Sequence, residues 1–482
     1  MIWLVVASLF FYGWWKPEYL VLLVASKVAN YSMGLVLSRT SLPVNTRKLL
    51  LGLGIAGNLL TLAYFKYANF IVDNLNLVIN PPIIISEIIL PLGISFFTFQ
   101  QIAYLVDAFK KETEKHNFLH YALFVTFFPQ LIAGPIVHHR EMMIEFERHT
   151  NFRIRADDIS IGLTIFFIGL FKKVVLADNV ALFSTPIFAA SAVGTPISIM
   201  EAWGGALAYT CQLYFDFSGY ADMAIGASRL FSIRLPQNFY SPYKSVNIVE
   251  FWRRWHMTLS RFLRDYLYIA LGGNRKGPAM RHVNLMVTMI LGGIWHGAGW
   301  TYLIWGFLHG SYLVINHAWS NLVTARVPGM AHSVLWRCFS WLMTFVAVVV
   351  AWVYFRAETL TSANEMVASM FGLNGISLPE TMGSLAPVFM TGFLQFDAQL
   401  ILSLGEWVQG TALILFLLGI AVFAPNTQQI MIAFNPVIES AKILPGLLQW
   451  RPNWKWALSM STVAVIAVIN ANDVSEFLYF QF

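Results

Sequence analysis

Apolar runs of about 20 residues, each long enough to cross a bilayer as a helix, recur along the whole chain. They lie at 18–37, 49–72, 83–108, 158–180, 199–231, 300–319, 336–355, 398–424 and 456–470. The chain opens on another, Met1 to Trp15, with no basic stretch ahead of it and no small-residue cleavage site, which predicts a retained helix rather than a signal peptide. The run at 49–72 is expected to tilt or break near Lys66. Residues 117–137 are apolar but interrupted by Pro129 and Gly134-Pro135. Basic loops lie both before and after that stretch, so a re-entrant element fits better than a full span, and broken backbone of this kind is tolerated only inside protein or against a cavity.

Polar positions between the runs set the orientation. Arg39, Arg47 and Lys48 lie in one loop and Lys110, Lys111 and Lys115 in the next but one, whereas Asp73 to Pro82 has no Lys or Arg. The positive-inside rule places both basic loops in the cytoplasm. Residues 234–282 are rich in arginine and belong on the same side, while 357–397 is expected to be external, with a short interfacial helix from Asn364 to Phe371. Lys172 and Lys173 fit poorly near the outer end of their run and either snorkel or face the interior.

Composition sharpens this picture. Of 482 residues 57% are hydrophobic and 12% charged, and the mean hydropathy is +0.61. The class is an all-α polytopic membrane protein, with residues 1–482 forming one transmembrane domain. The net charge of +6 is a topology signal, since no basic module with interleaved aromatics exists to bind nucleic acid. Cys211 and Cys338 both sit in apolar runs, so neither a disulfide framework nor a metal cluster is indicated.

The chemistry concentrates between residues 248 and 319. On an ideal helix over 248–270, Arg253, Arg254, Arg261 and Arg264 share one face, and Phe251, Trp252, Trp255, Leu259, Phe262 and Leu263 share the other. His256 falls on the aromatic face, which predicts an amphipathic interfacial helix with this histidine turned from water. His296 lies in the buried segment 283–319, after an uncharged stretch from Val283 to Trp295. That stretch carries the chain roughly 20 Å, past the middle of a bilayer core. An ionisable group at that depth is by default a functional-site candidate, and glycines at 292, 293, 297 and 299 would let backbone or substrate approach it. Asp216 and Asp222 are acids at membrane depth on 199–231 and are read either as interior functional groups or as helix-to-helix hydrogen bonders. His116 and His120 have helical metal-pair spacing but no intervening Glu and no third ligand, so they are expected to be solvated or interfacial, as are His138, His139 and His149. Neither a GxSxG elbow nor an HExxH pair is present, so a serine hydrolase and a zinc protease are disfavoured. A buried neutral imidazole is instead suited to taking a proton from a hydroxyl.

Several segments together resemble a known family. Phe251-Trp-Arg-Arg-Trp-His256, Arg264 to Arg275, Gly292-Gly-Ile-Trp-His-Gly-Ala-Gly-Trp300, Tyr214 to Gly226, Leu235 to Tyr243 and the terminal Phe477 to Phe482 are similar to the membrane-bound O-acyltransferases, in the bacterial branch that serves alginate and teichoic acids. The resemblance implies a ring of about 10–11 transmembrane helices, with re-entrant and interfacial helices, around a central cavity, and one further helix ahead of the matching point. It implies that His296 is the essential histidine and His256 the second active-site group, with Asn238 and Trp295 beside Asp216 and Asp222 as further cavity candidates. The expected reaction moves an acyl group, acetyl by preference, from a cytoplasmic thioester across the bacterial inner membrane to an exported polysaccharide such as alginate. Acetyl-CoA or an acylated carrier protein would be co-substrate, with no tightly bound cofactor and no metal. The basic rim of Arg253, Arg254, Arg261 and Arg264 would collect an anionic donor. Periplasmic esterase-like transferases are the expected partners. The aromatic tail 477–482 is expected to fold back towards His296 from outside, with Tyr479 as a covalent acyl carrier. A non-catalytic scaffold and an acyl-group transporter are the alternatives, and the latter would show paired inverted halves, which the sequence lacks.

Overall fold

Hydrophobicity on all sides of a helix forces it into lipid or into a protein core, and both outcomes occur here. A computed structural model describes residues 1–39, 41–113, 117–148, 155–324, 326–327, 333–374, 377–379, 395–398, 403–438, 446, 448–471 and 478. The chain begins with α1 (Ile2–Trp15), α2 (Pro17–Leu37), α3 (Val44–Asn76) and α4 (Ile94–Lys110). Short helices α5 (Phe118–Thr126), α6 (Phe128–Leu131) and α7 (His139–Phe146) follow, then α8 (Ala156–Phe171) and α9 (Asp178–Ala192), joined through a π-turn at Lys172–Ala177. Next come α10 (Ile199–Arg229), α11 (Ile248–Trp252), α12 (Met257–Phe262), α13 (Gly277–His296), α14 (Trp300–Trp319), α15 (Val334–Arg356) and α16 (Leu360–Met370). Two short parallel strands, β1 (Ser377–Pro379) and β2 (Gln395–Ala398), precede α17 (Leu404–Phe423), α18 (Thr427–Ile430) and α19 (Trp454–Asn470).

Among the described residues, five helices have both the length and the apolar composition of a membrane span: 17–37, 44–76, 156–192, 334–356 and 405–423. Two shorter apolar helices, α1 and α19, accompany them. Helices α4, α10, α13 and α14 are long as well but carry polar groups inward. The chain is a polytopic all-α membrane protein. Trp3, Trp14, Leu60, Phe423 and Ile469 are exposed on the outer helices, a surface that only lipid would cover without penalty.

Helix α10 is the central post, packed against α8, α9, α15, α16 and α17. It starts from a capping box in which Ser198 and Glu201 satisfy each other's backbone donors. Glycines set how closely α8 approaches it: a Cβ on Gly169 would lie 2.5 Å from the carbonyl oxygen of Gly219, and one on Gly226 would lie 2.5 Å from the nitrogen of Phe166. Backbones in contact are the usual means of helix association in lipid. The α13–α14 hairpin closes in the same way, with a Cβ on Gly293 reaching to 2.3 Å from the Tyr302 carbonyl.

Three segments differ from the sequence reading. The span expected at 158–180 is one continuous helix from 156 to 192. Lys172 and Lys173 therefore sit within it and face inward, where Lys172 meets Asp222 at 2.5 Å and Lys173 meets Asp178 at 2.7 Å and Asp216 at 2.9 Å. The amphipathic helix expected over 248–270 is instead α11, a turn at 253–256, α12 and a π-turn at Leu263–Tyr268. The ladder breaks because the backbone bonds elsewhere: Tyr240 donates to the Arg254 carbonyl (2.9 Å) and Met257 to that of Asn238 (2.9 Å). The solvated pair expected at His138 and His139 is not solvated, since His139 is buried between Tyr104 and Phe124. Residues 117–137 hold two short helices that break at Phe127, with Pro129 in the first turn of the second.

Candidate active site

His296 is the last residue of α13. The helix stops there because Gly297 turns to extended backbone, at a place where a Cβ would meet the Tyr302 ring at 2.1 Å. The imidazole is buried against Trp295, Trp305 and Phe355, with ring centroids 4.9, 5.0 and 5.1 Å away. It borders a small void of about 10 Å³ shared with Leu213, Phe217, Trp255, Trp305, Trp352 and Phe355. Trp295 lies alongside, stacked on Phe99 at 4.9 Å, and does not line that void.

His256 occupies the break between α11 and α12 with φ +41°, in the left-handed region that a side-chain-bearing residue rarely adopts. The pivot turns its ring fully inward, edge-on to Phe217 at 4.8 Å. Its Nδ1 lies 3.0 Å from Asn238 Oδ1, which also accepts from Thr258 Oγ1 at 2.8 Å. Thr258 Oγ1 in turn accepts from the Ile136 amide at 3.0 Å. An oxygen can only accept here, so Nδ1 carries the proton and Nε2 is the free acceptor. His256 lies outside the spanning helices, and burial pushes its pKa down to about 3, so it is neutral at ordinary pH. His256 and His296 flank the same ring: Phe217 stands edge-on to His256 at 4.8 Å and lines the small void beside His296. Trp255 lines that void too, and neither the void nor the wide cavity described below is lined by both histidines, so among the described residues the open cavity expected to join them is not seen.

A wide cavity of about 700 Å³ lies on the arginine-rich side. Arg253, Arg261, Arg264 and Arg281 line it, and along α13 it runs from Arg281 through Leu285 and Thr288 to Met289. Met289 is two turns, about 10 Å, before His296. Trp252, on the cavity wall, meets Trp305 at 5.9 Å, and Trp305 meets His296. An aromatic wall therefore divides the cavity from the histidine, and contrary to expectation no residue of 117–137 lines the cavity.

The four rim arginines are not equivalent. Arg261 is held by Glu141 through two bonds of 2.5 and 2.9 Å, and Arg264 by Asp265 at 2.7 Å. Arg254 pairs with Glu250 at 2.6 Å, lies over the Tyr240 ring and does not line the cavity. Arg253 is exposed and lines the cavity, with no carboxylate pairing with it among the described residues. Asp216 and Asp222 lie in the ion pairs with Lys173 and Lys172 rather than beside the histidines. Asp222 also accepts from Thr427 (2.6 Å) and Gln428 (2.8 Å), and shares a small void with Asn238. Tyr479, His116 and His149 lie outside the described residues; Leu478 is described and is buried, with its backbone near the Asp216 carboxylate. No cluster able to hold a metal occurs among the described residues.

Two features escape a motif-based reading. His309, fully buried on α14, sits among Phe251, Trp252, Trp305 and Trp352, and neither ring nitrogen has a partner among the described residues. Its position thirteen residues after His296 in another apolar segment was the available signal. Lys66 on α3 donates to the carbonyls of Trp295 (2.6 Å) and His296 (2.9 Å). An unpaired charge within an apolar run pointed there too.

The chain is similar to curated proteins along most of its length. It is 48% identical to the peptidoglycan O-acetyltransferase of Helicobacter pylori over 78% of this chain and 75% of that protein. It is 37% identical to the probable alginate O-acetylase AlgI of Pseudomonas aeruginosa over 99% of this chain and 94% of the relative. A teichoic acid D-alanyltransferase of Streptococcus thermophilus is 31% identical over 47% of this chain and 57% of its own. The profile of the MBOAT family matches residues 10–356, and with its polytopic helical fold the chain belongs to the membrane-bound O-acyltransferases.

Proposed function

We propose that this O-acyltransferase takes an acetyl group from a thioester on the arginine-rich, cytoplasmic side of a bacterial inner membrane and delivers it for O-acetylation of an exported glycan. The positive-inside rule supports that orientation. The donor is acetyl-CoA or an acylated carrier protein, whose anionic part suits Arg253 and Arg281 at the mouth of the wide cavity. The acceptor class follows the relatives, whose names specify peptidoglycan and alginate. Periplasmic esterase-like transferases are the partners that would finish the transfer, and Tyr479 is proposed as the hydroxyl that carries the acyl group between them.

In the proposed step, His296 removes the proton from an acceptor hydroxyl while that oxygen attacks the thioester carbonyl carbon. The C–O bond forms, the C–S bond breaks, and the imidazolium returns its proton to the departing thiolate. His256, locked in one tautomer by Asn238, orients the reacting groups from the other side of Phe217. Donor entry requires Trp252 and Trp305 to move aside, because they close the cavity short of His296.

The observation that carries this reading is the wide cavity running along α13 towards a buried histidine at the end of that helix. Purified protein should release thiol from a labelled acetyl thioester, and His296→Ala should lower that rate by about 10²–10⁴-fold. A fully active, normally assembled His296→Ala protein would overturn the assignment.

A further inference from the structure

Helix α13 ends at His296 and α14 begins at Trp300, so the proposed base stands at a break in the backbone. The last four carbonyls of any helix lack internal partners and carry its negative dipole end. In a membrane interior they cannot turn to water, and exposed broken backbone there is unstable. Here one face of α3 satisfies three of them. Tyr67 Oη donates to the Ile294 carbonyl at 2.7 Å, and Lys66 Nζ donates to those of Trp295 and His296 at 2.6 and 2.9 Å. Across the break, Trp300 Nε1 donates to Asn74 Oδ1 at 2.9 Å, and Phe70 packs edge-on against Trp300 at 5.8 Å. Tyr67, Phe70 and Asn74 are spaced three and four apart, so they share one face of α3. Among the described residues no carboxylate pairs with Lys66; its counter-charge is the helix end itself, with the Trp295 ring 5.9 Å away.

We propose that Lys66, supported by Tyr67 and Asn74, is a positioning residue for acyl transfer: α3 splints the break and fixes His296 by bonding its own carbonyl. This rests on the reading of His296 as the base. The role differs from ordinary packing because α3 is otherwise a peripheral helix, with only Arg47, Asn58 and Leu62 buried along its 33 residues. None of Lys66, Tyr67 and Asn74 lines the wide cavity, so loss of the splint should leave donor binding alone.

The test uses the full chain in detergent or nanodiscs. Lys66→Met keeps the stem and removes the ammonium. Its kcat per folded molecule should fall by about 10²-fold, the effect of misplacing a reacting group by roughly 1 Å, while KM for acetyl-CoA stays within about twofold. Lys66→Arg, which can still donate to both carbonyls, should recover most of the loss. Hydrogen exchange of the amides at 297–300, read by mass spectrometry, should quicken in Lys66→Met whether or not the protein turns over, so the splint is tested apart from the acyl-transfer reading. Should Lys66→Met not fold, Tyr67→Phe and Asn74→Leu each remove a single bond and should each lower kcat with KM unchanged. Wild-type kcat per folded molecule in these variants overturns the proposal, even if thermal stability or exchange changes.

Discussion

His256 shows how one residue can depend on bonds far from it in sequence. Its inward direction was legible from the aromatic arc that includes Trp255, Leu259 and Leu263, and those residues are buried as that arc requires. Its left-handed backbone was not legible, because the pivot is held by Asn238 and Tyr240, and local periodicity carries no information on such pairings. The Asn238 side chain then does a second task by accepting from both His256 and Thr258. Asn238→Leu removes the acceptor that fixes the tautomer, and it leaves the Thr258 hydroxyl short of a partner in a dry place. We expect kcat to fall by about 10–100-fold, with a smaller loss for Thr258→Val, which leaves Asn238 in place. Equal thiol release by Asn238→Leu and wild-type protein in single-turnover assays would show that the orientation of His256 is immaterial.

At the scale of elements, close approach was more legible in the sequence than continuity. Gly293 and Gly297 announced close approach, and Tyr302 and Gly306 of α14 use the room they leave. The interruption at 117–137 was legible from Pro129, whereas the run through 172–177 was not, because lysines in an apolar segment look like an end until their acidic partners on α10 are known. The arginine face of 248–270 likewise looked uniform and is divided by the break at His256. Arg254 is committed to Glu250 and Tyr240, Arg261 to Glu141 and Arg264 to Asp265. That leaves Arg253 and Arg281 on the cavity lining, Arg281 meeting His282 at 3.3 Å with no carboxylate pairing with it among the described residues. Reversing both, with Arg253→Glu and Arg281→Glu, should raise the KM for acetyl-CoA by about tenfold or more, with less effect on kcat. Arg254→Glu should leave KM near the wild-type value and lower the amount of inserted protein. If Arg254→Glu raised KM as much as the cavity pair did, general surface charge rather than the cavity would be collecting the donor.

Across the whole molecule, the proposed chemistry has a geometric problem: the wide cavity opens among arginines on one face, and an exported glycan lies beyond the other. Either the glycan must reach the histidines, or a part of the protein must carry the acyl group outward. The tail bears on this through Leu478, which is buried with its backbone near the Asp216 carboxylate. Asp216 is one helical turn from Leu213, which lines the void beside His296. Lys173 pairs with the same carboxylate at 2.9 Å, so Leu478 lies beside an ion pair of the central post. A composition-based reading would give an aromatic belt at the membrane surface, and a belt does not require Leu478 to be inside. Tyr479 follows Leu478 directly and has the hydroxyl that the proposed relay needs. Tyr479→Phe keeps the ring and removes that hydroxyl. We expect it to abolish glycan acetylation and any labelled acetyl group on the terminal peptide, while donor binding remains. Leu478→Asp, which puts a charge into that buried place, should reduce the same two signals without altering the donor's affinity. Undiminished glycan acetylation by Tyr479→Phe would rule out the carrier and leave the tail as an anchor, with the glycan or its transferase having to approach His296 directly.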